Sequence, residues 1–140
     1  MARKGQKGDP GPFDLPGRPG GADAALLLHG LTGTPFELRP VADRLARAGV
    51  RCLAPVLPGH ESAEALSRSS WHDWVTGARE ALASLGETRR TLVVGSSMGA
   101  LVACTLAVEV HPFPVLVATS AIAVALGPLL APADLPPLAR

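Results

Sequence analysis

Ten residues of this sequence bring together what nucleophilic acyl chemistry requires. Residues 91–100 read Thr-Leu-Val-Val-Gly-Ser-Ser-Met-Gly-Ala, so that Gly95, Ser97 and Gly99 form G-x-S-x-G. A serine hydroxyl is a weak nucleophile unless the backbone presents it to open space, beside donors that can hold charge on an attacked carbonyl oxygen. Small residues on either side of the serine let a strand pass into a helix through a sharp turn. Ser97 would then stand at a helix N-terminus, which favours developing negative charge. The Met98 N–H is expected to point into the same space as one oxyanion donor. The bare pattern is common, and its plain alternative is a glycine-rich strand-to-helix turn with no chemistry. The flanks favour chemistry, because an apolar strand pattern precedes the motif and a helical pattern follows it.

A second loop complements the first. Residues 26–33, Leu-Leu-Leu-His-Gly-Leu-Thr-Gly, carry an apolar run into a loop containing Gly30 and Gly33. Such a loop can supply the other oxyanion N–H, here from Leu31, and His29 is read as ordering the loop rather than acting as a base. No G-x-x-x-x-G-K-[ST] pattern occurs, which argues against nucleotide binding. His60 follows a strand and is read as the anchor of its Pro-Gly loop, and His72, beside Asp73, as solvated. No set of His, Cys, Asp or Glu shows metal-ligand spacing, so neither a metal nor another cofactor is expected. Cys52 and Cys104 lie in apolar segments as core fillers, and their use suits a reducing, cytoplasmic setting.

The elements that must hold these loops are legible as an alternation. Residues 24–28 form a continuous apolar run, as in a strand buried on both faces. Thr34, Pro35 and Glu37 read as N-cap, first-turn proline and capping-box acid of a helix whose apolar face is Leu38, Val41, Ala42 and Leu45, with Gly49 at its end. Residues 50–54 are a second strand. Ser70 and Asp73 open another helix, lined by Trp71, Trp74, Val75, Ala78, Leu82 and Leu85 and closed by Gly86. Residues 91–95 and 115–119 are the third and fourth strands. Between them, 98–110 is helical, apolar nearly all round and so expected to be buried. Strand and helix in strict alternation imply an α/β, three-layer sandwich with a mostly parallel central sheet of about four strands.

Composition bounds the rest. The chain has 140 residues, 47% of them hydrophobic, enough for a single packed domain. Thirteen basic and 12 acidic residues leave a net charge of +1, so no electrostatic reason exists to expect nucleic acid or an anionic membrane as partner. Ten of the 29 Gly and Pro residues fall within the first 21 positions, and residues 1–23 are expected to be a flexible tail. The basic start lacks a following apolar run, unlike a secretory signal. Residues 110–133 contain no charged side chain, yet Pro112, Pro114, Pro128 and Pro132 interrupt them; a buried strand and loop, not stable membrane insertion, is the expectation.

Four motifs in order carry a family resemblance: residues 29–35 (His-Gly-Leu-Thr-Gly-Thr-Pro), residues 57–60 (Leu-Pro-Gly-His), Trp71 with Trp74, and residues 95–99 (Gly-Ser-Ser-Met-Gly). Together with Pro12, Phe13 and residues 15–17, they resemble the α/β-hydrolase superfamily, in its bacterial carboxylesterase and monoacylglycerol-lipase branch, over residues 12 to about 120. The resemblance implies a small acyl-ester substrate, attack by Ser97, an acyl-enzyme and its hydrolysis by water. It also implies that residues 24–120 are a partial core and that 121–140 begin a lid. The family's order is serine, acid, histidine. After Ser97 the sequence offers only Glu109, His111 and Asp134. His111 would lie about 20 Å along the helix that Ser97 opens, whereas a base must come within about 3 Å. Glu109 fails by the same distance, and Asp134 falls in the lid segment. The expectation is therefore a longer esterase cut before its acid and histidine, the alternative being a non-catalytic module that binds an acyl or other hydrophobic ligand. Either would leave the fourth strand as an apolar sheet edge, prone to oligomerisation or aggregation.

Overall fold

A computed structural model of the chain describes residues 9–109 and the backbone of 115–119. The sheet has five strands in the order β1-β3-β2-β4-β5: β1 Phe13–Leu15, β2 Asp23–Leu28, β3 Arg51–Ala54, β4 Arg90–Gly95 and β5 Val115–Thr119. β2, β3, β4 and β5 run parallel, with Leu28 opposite Gly95 and Gly95 opposite Thr119. The four strands read from the sequence are these four. β2 lies at the centre, and Ala24 to Leu28 are all buried, which is why its apolar run is unbroken.

Alternation along the strands divides the core in two. Ala24, Leu26, Leu28 and Val93 face one side, packed with Val75 and Ala78 of α3 (Trp71–Ser84) and Val102 and Leu106 of α4 (Met98–Glu109). Ala25, Leu27, Cys52 and Val94 face the other, packed with Ala42 of α1 (Arg39–Arg47). The result is the expected three-layer α/β sandwich.

Several expectations need correction. The supposed tail contains β1, antiparallel to β3. Phe13 and Leu15 pack on the α1 side of the core, while Asp14 points outward to Arg51 at 3.0 and 2.8 Å. So few alternating positions among prolines and glycines carry little periodic signal, and the pairing partner is remote in sequence. The helix expected from Thr34 is a short 3-10 turn, Pro35–Leu38, followed by α1. Pro40 has no N–H to bond back to residue 36, so regular α-helix starts only around it. Val41, expected on the apolar face, is 40% exposed. A short helix α2 (Ala63–Arg68), capped by Ser62 accepting the Ala65 N–H at 3.1 Å, adds to the expected elements.

α3 begins at Ser70 as expected, with the Asp73 carboxylate accepting the Ser70 N–H at 2.8 Å. Trp71, however, is 55% exposed and lies against His72. α4 is buried on one side only: Ala100, Val102, Ala103 and Leu106 face the core, while Leu101 and Val108 are 63% and 79% exposed. Cys104 is likewise exposed, unlike the fully buried Cys52. The sheet can shield one stripe of a helix, whatever the composition of the opposite side. Among the described residues no helix is long and apolar enough to cross a membrane.

Candidate active site

The chain leaves β2 towards β3 on one side and leaves β4 towards β5 on the other, so the connections diverge between β2 and β4. In open α/β sheets, the crevice beyond the carboxyl ends of two such strands is where ligands bind. Those ends are Leu28 and Gly95, directly paired, and the two loops singled out from the sequence begin there.

At the end of β4 the backbone folds back sharply. Ser97 has φ of 52°, in the left-handed region that side chains with a Cβ disfavour. The turn is pinned by Ser96 N–H to Leu28 C=O at 3.0 Å, Gly99 N–H to Ser96 C=O at 2.9 Å and Ala100 N–H to Ser97 C=O at 3.0 Å. A Cβ on Gly95 would strike the Ala100 nitrogen and the Gly99 carbonyl. One on Gly99 would strike the carbonyl oxygen of Leu28 and stand 2.5 Å from that of His29. The spacing of the small residues thus reflects a helix start pressed against the end of β2. Ser97 itself is half-buried, and Met98, the first residue of α4, packs its side chain on the core.

The loop after β2 forms the opposite wall. Gly33 N–H donates to Gly30 C=O at 3.0 Å, closing a turn through Leu31 and Thr32, and Leu31 is 50% exposed. Thr32 has φ of 59°, costly for a β-branched residue. Gly30 abuts the serine turn: a Cβ there would lie 3.3 Å from Ser96 O and 3.4 Å from Ser97 Cβ. Among the described residues, Thr32 and Ser97 are the non-glycine residues with positive φ, and they sit in these two facing loops. Backbone strain of this kind, held by its surroundings, clusters at active sites and ligand clamps.

His29 is fully buried and ties the loop after β2 to the segment at Leu57. Its Nδ1–H donates to Gly30 C=O at 2.9 Å, and its Nε2 accepts the Leu57 N–H at 3.0 Å. That pairing assigns the neutral tautomer, and burial pushes the imidazole pKa down. With both nitrogens engaged, His29 has the loop-ordering role expected of it. His60 lies edge-on to His29, with ring centroids 4.8 Å apart, and its Nδ1 is 3.3 Å from Pro58 O. It therefore holds the Pro58-Gly59 loop. His72 is exposed on α3. Among the described residues no histidine hydrogen-bonds Ser97. Glu109 is paired with Arg79 at 2.6 Å, at the far end of α4. His111 and Asp134 lie outside the described residues.

One residue of this site departs from its expected role. Glu37, expected to cap Thr34, instead accepts the Gly30 N–H, and Thr34 makes no side-chain capping bond. The T-x-x-E spacing is that of a capping box, and only the position of the preceding loop decides which N–H the carboxylate meets.

Residues 25–140 match the alpha/beta hydrolase family. Over 94 residues the chain is 40% identical to a thermostable monoacylglycerol lipase of Bacillus sp. strain H-257, a match spanning 66% of this chain and 37% of that lipase. Among solved structures, one described as "LipS and LipT, two metagenome-derived lipolytic enzymes" superposes with a TM-score of 0.68 at 25% identity, covering 90% of this chain and 53% of that one. The thioesterase domain from the curacin biosynthetic pathway superposes with a TM-score of 0.59 at 26% identity, over 71% of this chain and 38% of that one. The chain thus spans about half or less of the length of these relatives.

Proposed function

The chain belongs to the alpha/beta hydrolase family, of lipase and esterase type, and on that premise we propose that Ser97 is the nucleophile of a carboxylic-ester hydrolase. Ser97 Oγ attacks the carbonyl carbon of a small acyl ester, and its proton passes by way of solvent to the oxygen of the departing alcohol. The carbonyl oxygen becomes an oxyanion held by the Leu31 and Met98 N–H groups, and collapse expels the alcohol. Water then attacks the acyl-serine, releasing the carboxylic acid and restoring the hydroxyl.

One observation carries this reading: Ser97 is held with φ of 52° at the carboxyl end of the central strands, facing Gly30 of the other loop, where a Cβ would lie 3.4 Å from that of Ser97. The first turn of a helix leaves its N–H groups without intrahelical partners, which frees the Met98 amide for an anion. The described residues supply nucleophile and oxyanion donors but no base in contact with the serine. Turnover by this chain is accordingly expected to be slow, on the scale of the roughly 10³–10⁴-fold over water that binding and an oxyanion hole alone sustain.

That missing contact favours a second reading, a module that binds acyl ligands without turnover. An active-site fluorophosphonate probe separates the two. Slow labelling confined to Ser97 and abolished by Ser97→Ala supports the hydrolase. No labelling in a folded chain that still binds a fatty acyl analogue supports the binding module.

A further inference from the structure

We propose that Glu37 is a positioning residue that clamps the Gly30–Gly33 loop so that the Leu31 amide faces Ser97; the inference rests on the reading of Ser97 and Leu31 given above. Gly30 is held through both of the peptide groups that flank its Cα. Its C=O accepts from His29 Nδ1–H at 2.9 Å and from Gly33 N–H at 3.0 Å, and its N–H donates to Glu37 Oε1. The carboxylate also lies against Gly33, where a Cβ would stand 2.9 and 3.0 Å from its two oxygens. Glycine at 33 therefore leaves the space that the carboxylate occupies. Pro35 and Leu38, both buried, fix the 3-10 turn that carries Glu37. Glu37 is exposed on this surface turn, yet its carboxylate reaches back onto the loop to accept the Gly30 N–H.

The charge argues in the same direction. A carbon at Gly30 would lie 3.5 Å from Glu37 Oε1 and 3.4 Å from Ser97 Cβ, so the carboxylate and the nucleophile are within about 7 Å, a range at which charges still interact. A negative charge there opposes a developing oxyanion. Its value to the reaction is thus as a strong acceptor for a backbone N–H, in a loop whose Thr32 is strained and needs holding.

The test uses the full chain and has two arms. In the first, the amide shift of Gly30 is compared by NMR at one pH in the parent, Glu37→Gln and Glu37→Ala. It is expected to stay at a hydrogen-bonded, downfield position in the parent and Glu37→Gln and to move upfield in Glu37→Ala, which lacks an acceptor. In the second, fluorophosphonate labelling of Ser97 is expected to slow by about tenfold or more in Glu37→Ala, the scale of a small misplacement of a catalytic group. Glu37→Gln, which keeps an acceptor and drops the charge, is expected to restore the parent rate or exceed it. A Gly30 amide indifferent to Glu37, or a glutamine variant as slow as the alanine one, overturns the proposal. If Ser97 labels in no variant while the Gly30 amide still responds to Glu37→Ala, the nucleophile reading has failed and the clamp stands without a catalytic role, which also overturns the proposal as stated.

Discussion

Ser97→Gly and Ser97→Ala both delete the hydroxyl, and they differ only in a Cβ held in the left-handed region. With φ at 52°, that Cβ costs about 1–2 kcal/mol. Glycine loses an extra 0.5–1 kcal/mol or so in chain entropy on folding, which leaves about 1 kcal/mol in its favour. For a chain of this size, 1 kcal/mol moves the midpoint of thermal unfolding by about 4 °C. Circular dichroism melts of the two variants, side by side, are expected to place the glycine variant higher by that amount. At a residue of ordinary helix or strand the sign reverses, since alanine there is favoured over glycine. An alanine variant equal to or more stable than the glycine one would refute the strained turn, and with it the presentation of the hydroxyl.

Further outcomes follow from other parts of the molecule. Gly99→Ala, whose Cβ would strike the Leu28 carbonyl oxygen, is expected to cost about 3 kcal/mol or more in denaturant unfolding, or to prevent folding. Burial lowers the folded-state pKa of His29, so its contribution to stability is present above the unfolded value of about 6.5 and is lost as pH falls through the folded value. His29→Gln is expected to be less stable at pH 8 and to show a shallower acid loss in urea melts taken across pH 5–8. Burial also pushes the Cys52 thiol up to about 11, whereas Cys104 is exposed. Ellman's reagent at pH 8 is expected to titrate Cys104 at once and Cys52 only after unfolding. Leu101 and Val108 leave an apolar strip on α4, and the chain is expected to self-associate through its uncovered apolar surfaces. Sedimentation showing a monomer at about 100 µM, with Leu101→Lys making no difference, would contradict this.

Much of the site is readable along the chain because its chemistry is local. A hydroxyl at a strand-to-helix turn demands small neighbours at fixed offsets, so Gly95, Ser97 and Gly99 announce the turn by their spacing. The centres of β2 and β4 are similarly local, since strands covered on both faces need unbroken apolar runs. β1 escapes such a reading because its three residues have meaning only beside β3. Glu37 is ambiguous because one spacing serves both a helix cap and a reach back to Gly30. The exposed side of α4 is hidden because composition does not state which side a neighbour covers.

Sequence alone therefore determined the four parallel strands, the parallel α/β class and the identity of the serine turn, all consequences of bonding and burial within a few residues along the chain. Tertiary structure alone decided the strand order that sets Leu28 beside Gly95, the bonds that leave His29 no free nitrogen, and the partner of Glu37. These depend on segments distant in sequence meeting at one end of the sheet, and no local pattern encodes which backbone group will be waiting there.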